Sequence, residues 1–388
     1  MDEAAERAVS FTGYDRSKDR SLSKGKVRQR SFRNGSSRRL PRIPMRGSVI
    51  EEHMGNIFPA LAGSVSLLKC QHVFLTGGTG FFGKWLLQLF VHLRKSCNLN
   101  ITVTALSRDP KRFLDSCPEF IGQPGLNFIA GNVRSFTPPT GRTFDFVIHG
   151  ATAASAKLEQ EDPEEMYSVI TEGTRHLLEF VTRCGARRLL YISSGAVYGM
   201  QPPTLSHVPE TYEGVPQTAY GRGKKVSEQL CLDASTGSFE CVIARPFAFV
   251  GPYLPLDAHF AIGNFIRDCL ENRPIVIRGD GTPLRSYLYA ADLAEWLWTL
   301  LLRGEHGRAY NVGSEDVISI RDLACLVREC AGTQNEILIQ QQAQEGVLPA
   351  RYVPSVARAR HAFGLTPHGS LADAIHQTVA WHRSRGTV

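Results

Sequence analysis

From Gln71 onward the apolar positions follow two alternating rhythms. The short runs HVFLT, ITVTALS, LNFIAGNV, FDFVIHGA, RRLLYISS and FECVIARPF have the length and β-rich content of strands buried on both faces. Between them lie helical stretches. In FGKWLLQLFVHLRK the residues Trp85, Leu86, Leu89, Phe90 and Leu93 recur at helical spacing, and MYSVITEGTRHLLEFVTRCGA and YGRGKKVSEQLCLDAS also read as helices. Strands alternating with helices predict βαβ units, and hence an α/β fold with a doubly wound parallel sheet of the Rossmann type.

After Gly251 the rhythm changes to loops and helices: PYLPLDAHFAIGNFIRDCL, a short IVIRG strand, a YAADLAEWLWTLLLRG helix started by Asp292, then ILIQ and a closing SLADAIHQTVAWHR helix. This predicts a smaller C-terminal α/β lobe over 251–388, following a main domain over 71–250 and a linker or leading helix over 51–70. In such sheets ligands sit in the cleft at the carboxyl ends of the strands.

Composition changes the picture at one end only. The formal charge of +7 lies in residues 1–50, which hold 13 Lys+Arg against 5 Asp+Glu, whereas the remaining residues hold 31 against 32. That tail is rich in Arg, Ser, Lys and Gly and has no apolar period, so a disordered basic extension is expected. Organelle targeting, phosphate or lipid contact, and a later start at Met45 or Met54 stay open. The body is near neutral, so a nucleic-acid partner is not expected. Nine cysteines without a CxxC pair indicate neither a disulfide framework nor a metal site. No apolar stretch reaches the roughly 20 residues of a membrane span, so a soluble, cytoplasmic protein is expected.

The candidate chemistry begins with TGGTGFFG. Gly77, Gly80 and Gly83 follow an apolar strand and open a helix, where glycine allows a tight turn and lets backbone amides approach a pyrophosphate. Thr79, Phe81 and Phe82 complete the expected cofactor-binding turn, and 71–250 becomes an NAD(P)-binding domain. The next strand ends in LSRDP, with Ser107 and Arg108 where the adenosine ribose would lie. An arginine there can receive the 2′-phosphate of NADP, which tilts the choice toward NADP, although Asp109 could swing back to serve NAD.

TAYGRGKK places Tyr220 and Lys224 four residues apart, on one face of a helix. A nearby ammonium is expected to lower the tyrosine pKa, so that the phenol can exchange a proton with a substrate alcohol as hydride leaves its carbon. Ser194, at the end of the strand before, could hydrogen-bond the same alcohol.

Together, TGGTGFFG, HGA at Ala151, SSGAVYG, YGRGK, ARPFAFVGP and GDGTPLRSYLYAADLA resemble the extended short-chain dehydrogenase/reductase family, in its nucleotide-sugar epimerase/dehydratase branch. The resemblance covers about Val73 to Trp381. It implies oxidation of a sugar C4 hydroxyl with NAD(P)⁺ to a 4-keto intermediate, with Ser194, Tyr220 and Lys224 as the triad. Asn132 and Val133 would lie against adenine; Gly150, Ala151 and Thr152 would line the cofactor; Pro246 and Phe247 would flank the nicotinamide. Arg285 is expected to grip the nucleotide diphosphate, and His259, Asn264 and Arg351 are further substrate candidates. Ala248 stands where relatives have an asparagine, and Gly131-Asn132 where they usually have GD.

Dehydrating relatives carry Asp then Glu after the catalytic hydroxyl, and decarboxylating relatives also have Glu at the second place. Here those positions are Gly195 and Ala196, which cannot transfer a proton. The pattern therefore points to an epimerase, with 4,6-dehydratase and 4-ketoreductase as alternatives. A non-enzymatic nucleotide- or RNA-binding member and a reductase of non-sugar ketones are the other classes weighed. A homodimer through the helices at 166–184 and 224–234 is implied by the resemblance.

Overall fold

Seven parallel strands form the central layer, in the order Ala309–Val312, Glu240–Pro246, Arg188–Ile192, Phe146–His149, His72–Thr76, Thr102–Ser107, Leu126–Ala130. In the computed structural model the described residues are 50, 53–55 and 63–386, apart from 140, 154 and 259. The expected basic tail, most of the expected linker and His259 thus lie outside the described residues.

The first half builds the sheet outward from its middle. β1 (His72–Thr76) leads into α1 (Phe81–Ser96); β2 (Thr102–Ser107), α2 (Pro110–Ser116) and β3 (Leu126–Ala130) extend one side. The chain then returns to β1's other edge with β4 (Phe146–His149), followed by α3 (Ala156–Glu161), α4 (Pro163–Cys184), β5 (Arg188–Ile192), α5 (Ala219–Ala234) and β6 (Glu240–Pro246). The strand order reverses between β1 and β4, which opens a crevice at their carboxyl ends.

Local sequence accounts for the helix ends. Asp162 accepts a hydrogen bond from the Glu165 amide at 3.0 Å, Pro163 occupies the first turn, and Gly185 closes α4 at φ 77°, a left-handed conformation natural to glycine. α4 and α5 pack side by side over one face of the sheet, where Phe74, Val147, Leu177, Val181, Leu189 and Ile243 are buried.

The chain does not divide at residue 251. After β7 (Phe249–Val250), α6 (Ala261–Leu270), β8 (Ile275–Ile277), β9 (Leu284–Arg285) and β10 (Leu288–Tyr289), the chain re-enters the main layer as α7 (Ala290–Arg303) and β11 (Ala309–Val312). α7 packs against α1 and against β5, β6 and β7, so it is buried on every side from Ala290 to Leu302. That is why its sequence is apolar all round rather than striped. β11 then pairs in parallel with β6 and becomes the outer strand.

The remaining elements are β12 (Ile318–Ser319), α8 (Ile320–Ala331), β13 (Ile337–Ile339), β14 (Arg351–Tyr352), α9 (Ala357–Phe363) and α10 (Leu371–Arg385). With α6, the helices α8 and α10 enclose a second core of Ile262, Phe265, Ile266, Leu323, Val327, Ile375 and Val379, whereas α9 packs on β11 in the main core. Here β12, β9 and β14 form a small three-stranded sheet, which brings two distant segments to the mouth of the crevice.

Candidate active site

The glycine turn has no room for side chains. A Cβ on Gly77, whose φ is 75°, would lie 2.5 Å from the Gly150 carbonyl carbon, and one on Gly83 would lie 2.3 Å from the Gly77 oxygen. The turn after β4 is thereby pressed onto the turn after β1. Gly150 donates its amide to the Thr76 carbonyl, and Ala151 donates to the Thr76 hydroxyl, both at 3.1 Å. His149 holds that hydroxyl from behind, 2.8 Å from Thr76 Oγ1 and 3.1 Å from Thr174 Oγ1. Burial first, and the nearby Lys224 second, push its pKa down to about 3, so the imidazole is a neutral bridge. No side chain caps α1, and no acidic residue stands in its first turn. Its opening amides, around Gly80, Phe81 and Phe82, face a cradle that fits a dinucleotide pyrophosphate.

At the end of β2, Ser107 is buried and its hydroxyl accepts from the Asp109 amide at 3.2 Å. Asp109 is engaged elsewhere, since it caps α2 by accepting from the Arg112 amide at 2.9 Å. Arg108 is exposed. Asn132 accepts from the Arg134 amide at 3.0 Å, and Val133 packs against Gly173, where a Cβ would approach within 2.8 Å. Thr152 donates to the Ala153 carbonyl at 3.2 Å.

Three hydroxyls converge beyond β5. Ser194 accepts from the Ala196 amide at 3.1 Å, capping the 3-10 turn Gly195–Tyr198, and its hydroxyl lies near enough to the phenols of Tyr220 and Tyr352 to favour the ionised form of each. Tyr220 sits in the first turn of α5, where Thr218 caps the helix through the Gly221 amide at 3.0 Å. Glu159 of α3 adds a second anchor, its two carboxylate oxygens accepting from the amides of Ala219 and Tyr220 at 2.7 and 2.9 Å. Lys224 is buried, donates to the Ile192 carbonyl at 2.8 Å, and lies 5.8 Å from the centre of the Tyr220 ring.

The electrostatics differ from the expectation. Burial pushes the Tyr220 phenol above its ordinary 10, with only the Ser194 hydrogen bond pulling the other way. Burial also takes Lys224 down to about 7. The ammonium that was to depress the phenol is weakened by the same desolvation, so the two pKa values move apart, the phenol upward and the ammonium downward.

Gly195 and Ala196 occupy the floor between these hydroxyls. A Cβ on Gly195 would fall 2.7 Å from the Tyr352 hydroxyl and 2.8 Å from the Phe247 ring. Phe247, just past Pro246 at the end of β6, packs against Tyr352 with ring centres 4.7 Å apart and the planes tilted by 37°. Glycine at 195 is therefore a packing requirement as well as the loss of an acid.

The substrate candidates separate. Arg285, on β9, lies close enough to Tyr287 and Tyr352 for its charge to favour both phenolates, and it donates to the Leu284 carbonyl at 2.8 Å. Arg351 is turned to the Pro203 carbonyl at 3.1 Å, whereas its strand neighbour Tyr352 reaches the hydroxyl cluster. Asn264 accepts from Arg267 at 3.2 Å. Tyr352 and Glu159 are the two residues absent from the sequence expectation. Alternation of side chains along β14, beside the suspected Arg351, was the signal for Tyr352. Among the described residues, Asp292, Glu295 and His368 could bring ligand atoms together within 4.8 Å. They partner one another: His368 is 2.7 Å from Glu295, and its amide donates to Asp292 at 3.4 Å. No helix among the described residues is long and apolar enough to cross a membrane.

Comparison with known proteins gives a consistent picture. A family model described as the NAD dependent epimerase/dehydratase family matches residues 73–313. UDP-glucuronic acid decarboxylase 2 of Arabidopsis thaliana is 28% identical over 325 residues, covering 82% of this chain and 69% of that protein. Among solved structures, the dTDP-glucose 4,6-dehydratase of Streptomyces venezuelae with NAD bound superposes with a TM-score of 0.71 at 21% identity, over 81% of this chain and 98% of that one. The UDP-glucuronic acid 4-epimerase of Bacillus cereus, in complex with NAD, gives a TM-score of 0.70 at 21% identity, over 81% and 99%.

Proposed function

The chain belongs to the NAD-dependent epimerase/dehydratase family, and on that premise we propose that it is a nucleotide-sugar 4-epimerase acting through a 4-keto sugar. The observation that carries the proposal is the floor of the site. Gly195 and Ala196 offer no carboxylate, and Phe247 with Tyr352 fills the space a side chain at 195 would need. Loss of water needs a base at C5 and an acid at C6, and the enolate left by loss of carbon dioxide needs a proton donor at C5, whereas inversion at C4 asks only for one proton carrier and a hydride carrier.

The cradle of Gly77, Thr79, Gly80, Phe81, Phe82 and Gly83, with Gly150, Ala151 and Thr152, would hold an NAD(P) cofactor, which supplies a hydride acceptor and donor. Tyr220 takes the proton of the sugar C4 hydroxyl, Ser194 hydrogen-bonds that same oxygen, and Lys224 steadies the proton balance next to the phenol. Rotation of the 4-keto sugar before the proton and hydride return would invert C4. Arg285 is assigned to the diphosphate, since its guanidinium fork suits phosphate oxygens. Asp109 is committed to capping α2 while Arg108 is exposed, which supports use of NADP at least as well as NAD. Pairing of two copies through α4 and α5 belongs to the same proposal.

The similar proteins named for UDP-glucuronic acid make that compound the first substrate to try. Incubation with UDP-glucuronic acid and a panel of UDP-, dTDP-, GDP- and CDP-sugars, read by mass and proton NMR, tests the proposal. Unchanged mass with altered H4 coupling is expected; loss of 44 or 18 mass units, about one carbon dioxide or water, would overturn it.

A further inference from the structure

Ser194 has one proton to give and two lone pairs to receive with. One lone pair takes the Ala196 amide at 3.1 Å. Beside it stand two phenols, Tyr220 on α5 and Tyr352 on β14, the latter with its hydroxyl 2.7 Å from the Cβ position of the adjoining Gly195. The directions are then fixed by counting, if Tyr220 is to hold a phenolate, because a phenolate can only accept. Tyr352 must donate to the second lone pair, and the serine proton must point at Tyr220.

We propose that in the sugar-free site Tyr352 is a positioning residue whose phenol donates to Ser194 and so aims the serine proton at the Tyr220 oxygen, from which that proton turns to the sugar C4 oxygen when substrate binds. The proposal rests on the role given above to Tyr220. Three independent placements support it. Tyr352 is held by its tilted ring contact with Phe247, with centres 4.7 Å apart. Its hydroxyl stands where a side chain on residue 195 would have been, 2.7 Å from that Cβ position. Its strand β14 is clamped to β9, the strand of Arg285, so the same ribbon that meets the diphosphate delivers the phenol.

In consequence, hydrogen bonds in series, Tyr352 to Ser194 to Tyr220, strengthen one another and favour the ionised form at their end. Other titratable groups surround this corner of the site. Lys224, Glu228 and Cys231 share the helix of Tyr220, Tyr191 lies on β5, His149 on β4, and Glu159 holds the Tyr220 backbone amide. Arg285 and Tyr198 stand behind Tyr352. None of these reaches Tyr220 through Ser194, so deletion of the Tyr352 hydroxyl isolates one path.

The experiment uses the full chain with NAD⁺ bound and no sugar. Tyrosinate absorbance is titrated in a chain with Tyr220 and in the Tyr220→Phe chain, and the difference reports Tyr220 alone. Tyr352→Phe keeps the ring contact and is expected to raise the Tyr220 midpoint by about one pH unit. Ser194→Ala should raise it similarly, and the double variant should move no further. With an active substrate, the acid limb of kcat/KM, which reports the sugar-free enzyme, should shift by the same amount. A midpoint that Tyr352→Phe leaves in place, or shifts that add in the double variant, overturns the proposal. Should Tyr352→Phe fold poorly, 2,3-difluorotyrosine at 352 keeps the ring and makes a stronger donor; the midpoint then falls, and an unmoved midpoint again overturns it. Because the titration needs no sugar, failure of the epimerase assignment and failure of this inference are read separately.

Discussion

Lys224 donates to the backbone carbonyl of Ile192 at 2.8 Å, from a position that is almost completely buried. The ammonium is thus tied to the last residue of β5, next to the strand end that carries Ser194. Burial lowers its pKa to about 7. In the unfolded chain the group titrates near 10.5, so between pH 7 and 10.5 the unfolded state binds more protons and folding stability rises with pH. Below pH 7 the cost of burying the charge is present in full. Lys224→Met is therefore expected to melt at a higher temperature than the parent at pH 7, with the gain shrinking toward pH 10. The same variant should lose turnover by roughly a hundredfold or more. Thermal melts at the two pH values and an assay on the active sugar check both halves.

Gly195→Ala places a methyl group 2.7 Å from the Tyr352 hydroxyl and 2.8 Å from the Phe247 ring. Two aromatic rings packed on each other cannot both yield cheaply, so a loss of about 1–3 kcal/mol in stability is expected. Displacement of the neighbouring Ser194 should cost turnover about tenfold or more. Ala196→Ser, at a less enclosed position, should leave the melting temperature nearly unchanged. Chemical denaturation and initial rates on the two variants separate crowding at 195 from general damage to the turn.

Arg108→Ala tests the cofactor choice. Removal of the exposed guanidinium should weaken NADP⁺ about tenfold or more and leave NAD⁺ within about threefold. Asp109 caps α2 and so cannot take over at the ribose without releasing the Arg112 amide. Calorimetric titration with both cofactors decides it; equal effects on the two would show that Arg108 meets no 2′-phosphate.

The sheet and the glycine turn were legible because both are written locally. Six apolar runs between helical periods imply the parallel layer, and Gly77 and Gly83 stand where any Cβ would strike backbone at 2.5 and 2.3 Å. Tyr220 and Lys224 were legible because four residues on a helix fix a shared face. What lay hidden depends on contacts across long stretches of chain. Glu159 meets the amides at 219 and 220 from 60 residues away, and nothing in AKLEQE announces it. Tyr352 enters only because β14 pairs with β9, while the more conspicuous Arg351 beside it is taken by the Pro203 carbonyl. The apolar rhythm of the YAADLAEWLWTLLLRG helix gave its type but not its layer, because burial on all faces says nothing about which neighbours supply it.

The strand Ala309–Val312 supplies the last hydrogen-bonded neighbour of Glu240–Pro246. On the ribosome, β6 therefore emerges with one raw margin, and that margin stays open while the whole intervening stretch is being translated. Unpaired margins invite intermolecular pairing. A polypeptide stopped before residue 309 should accumulate in inclusion bodies, and the nascent protein should lean on chaperones during that interval.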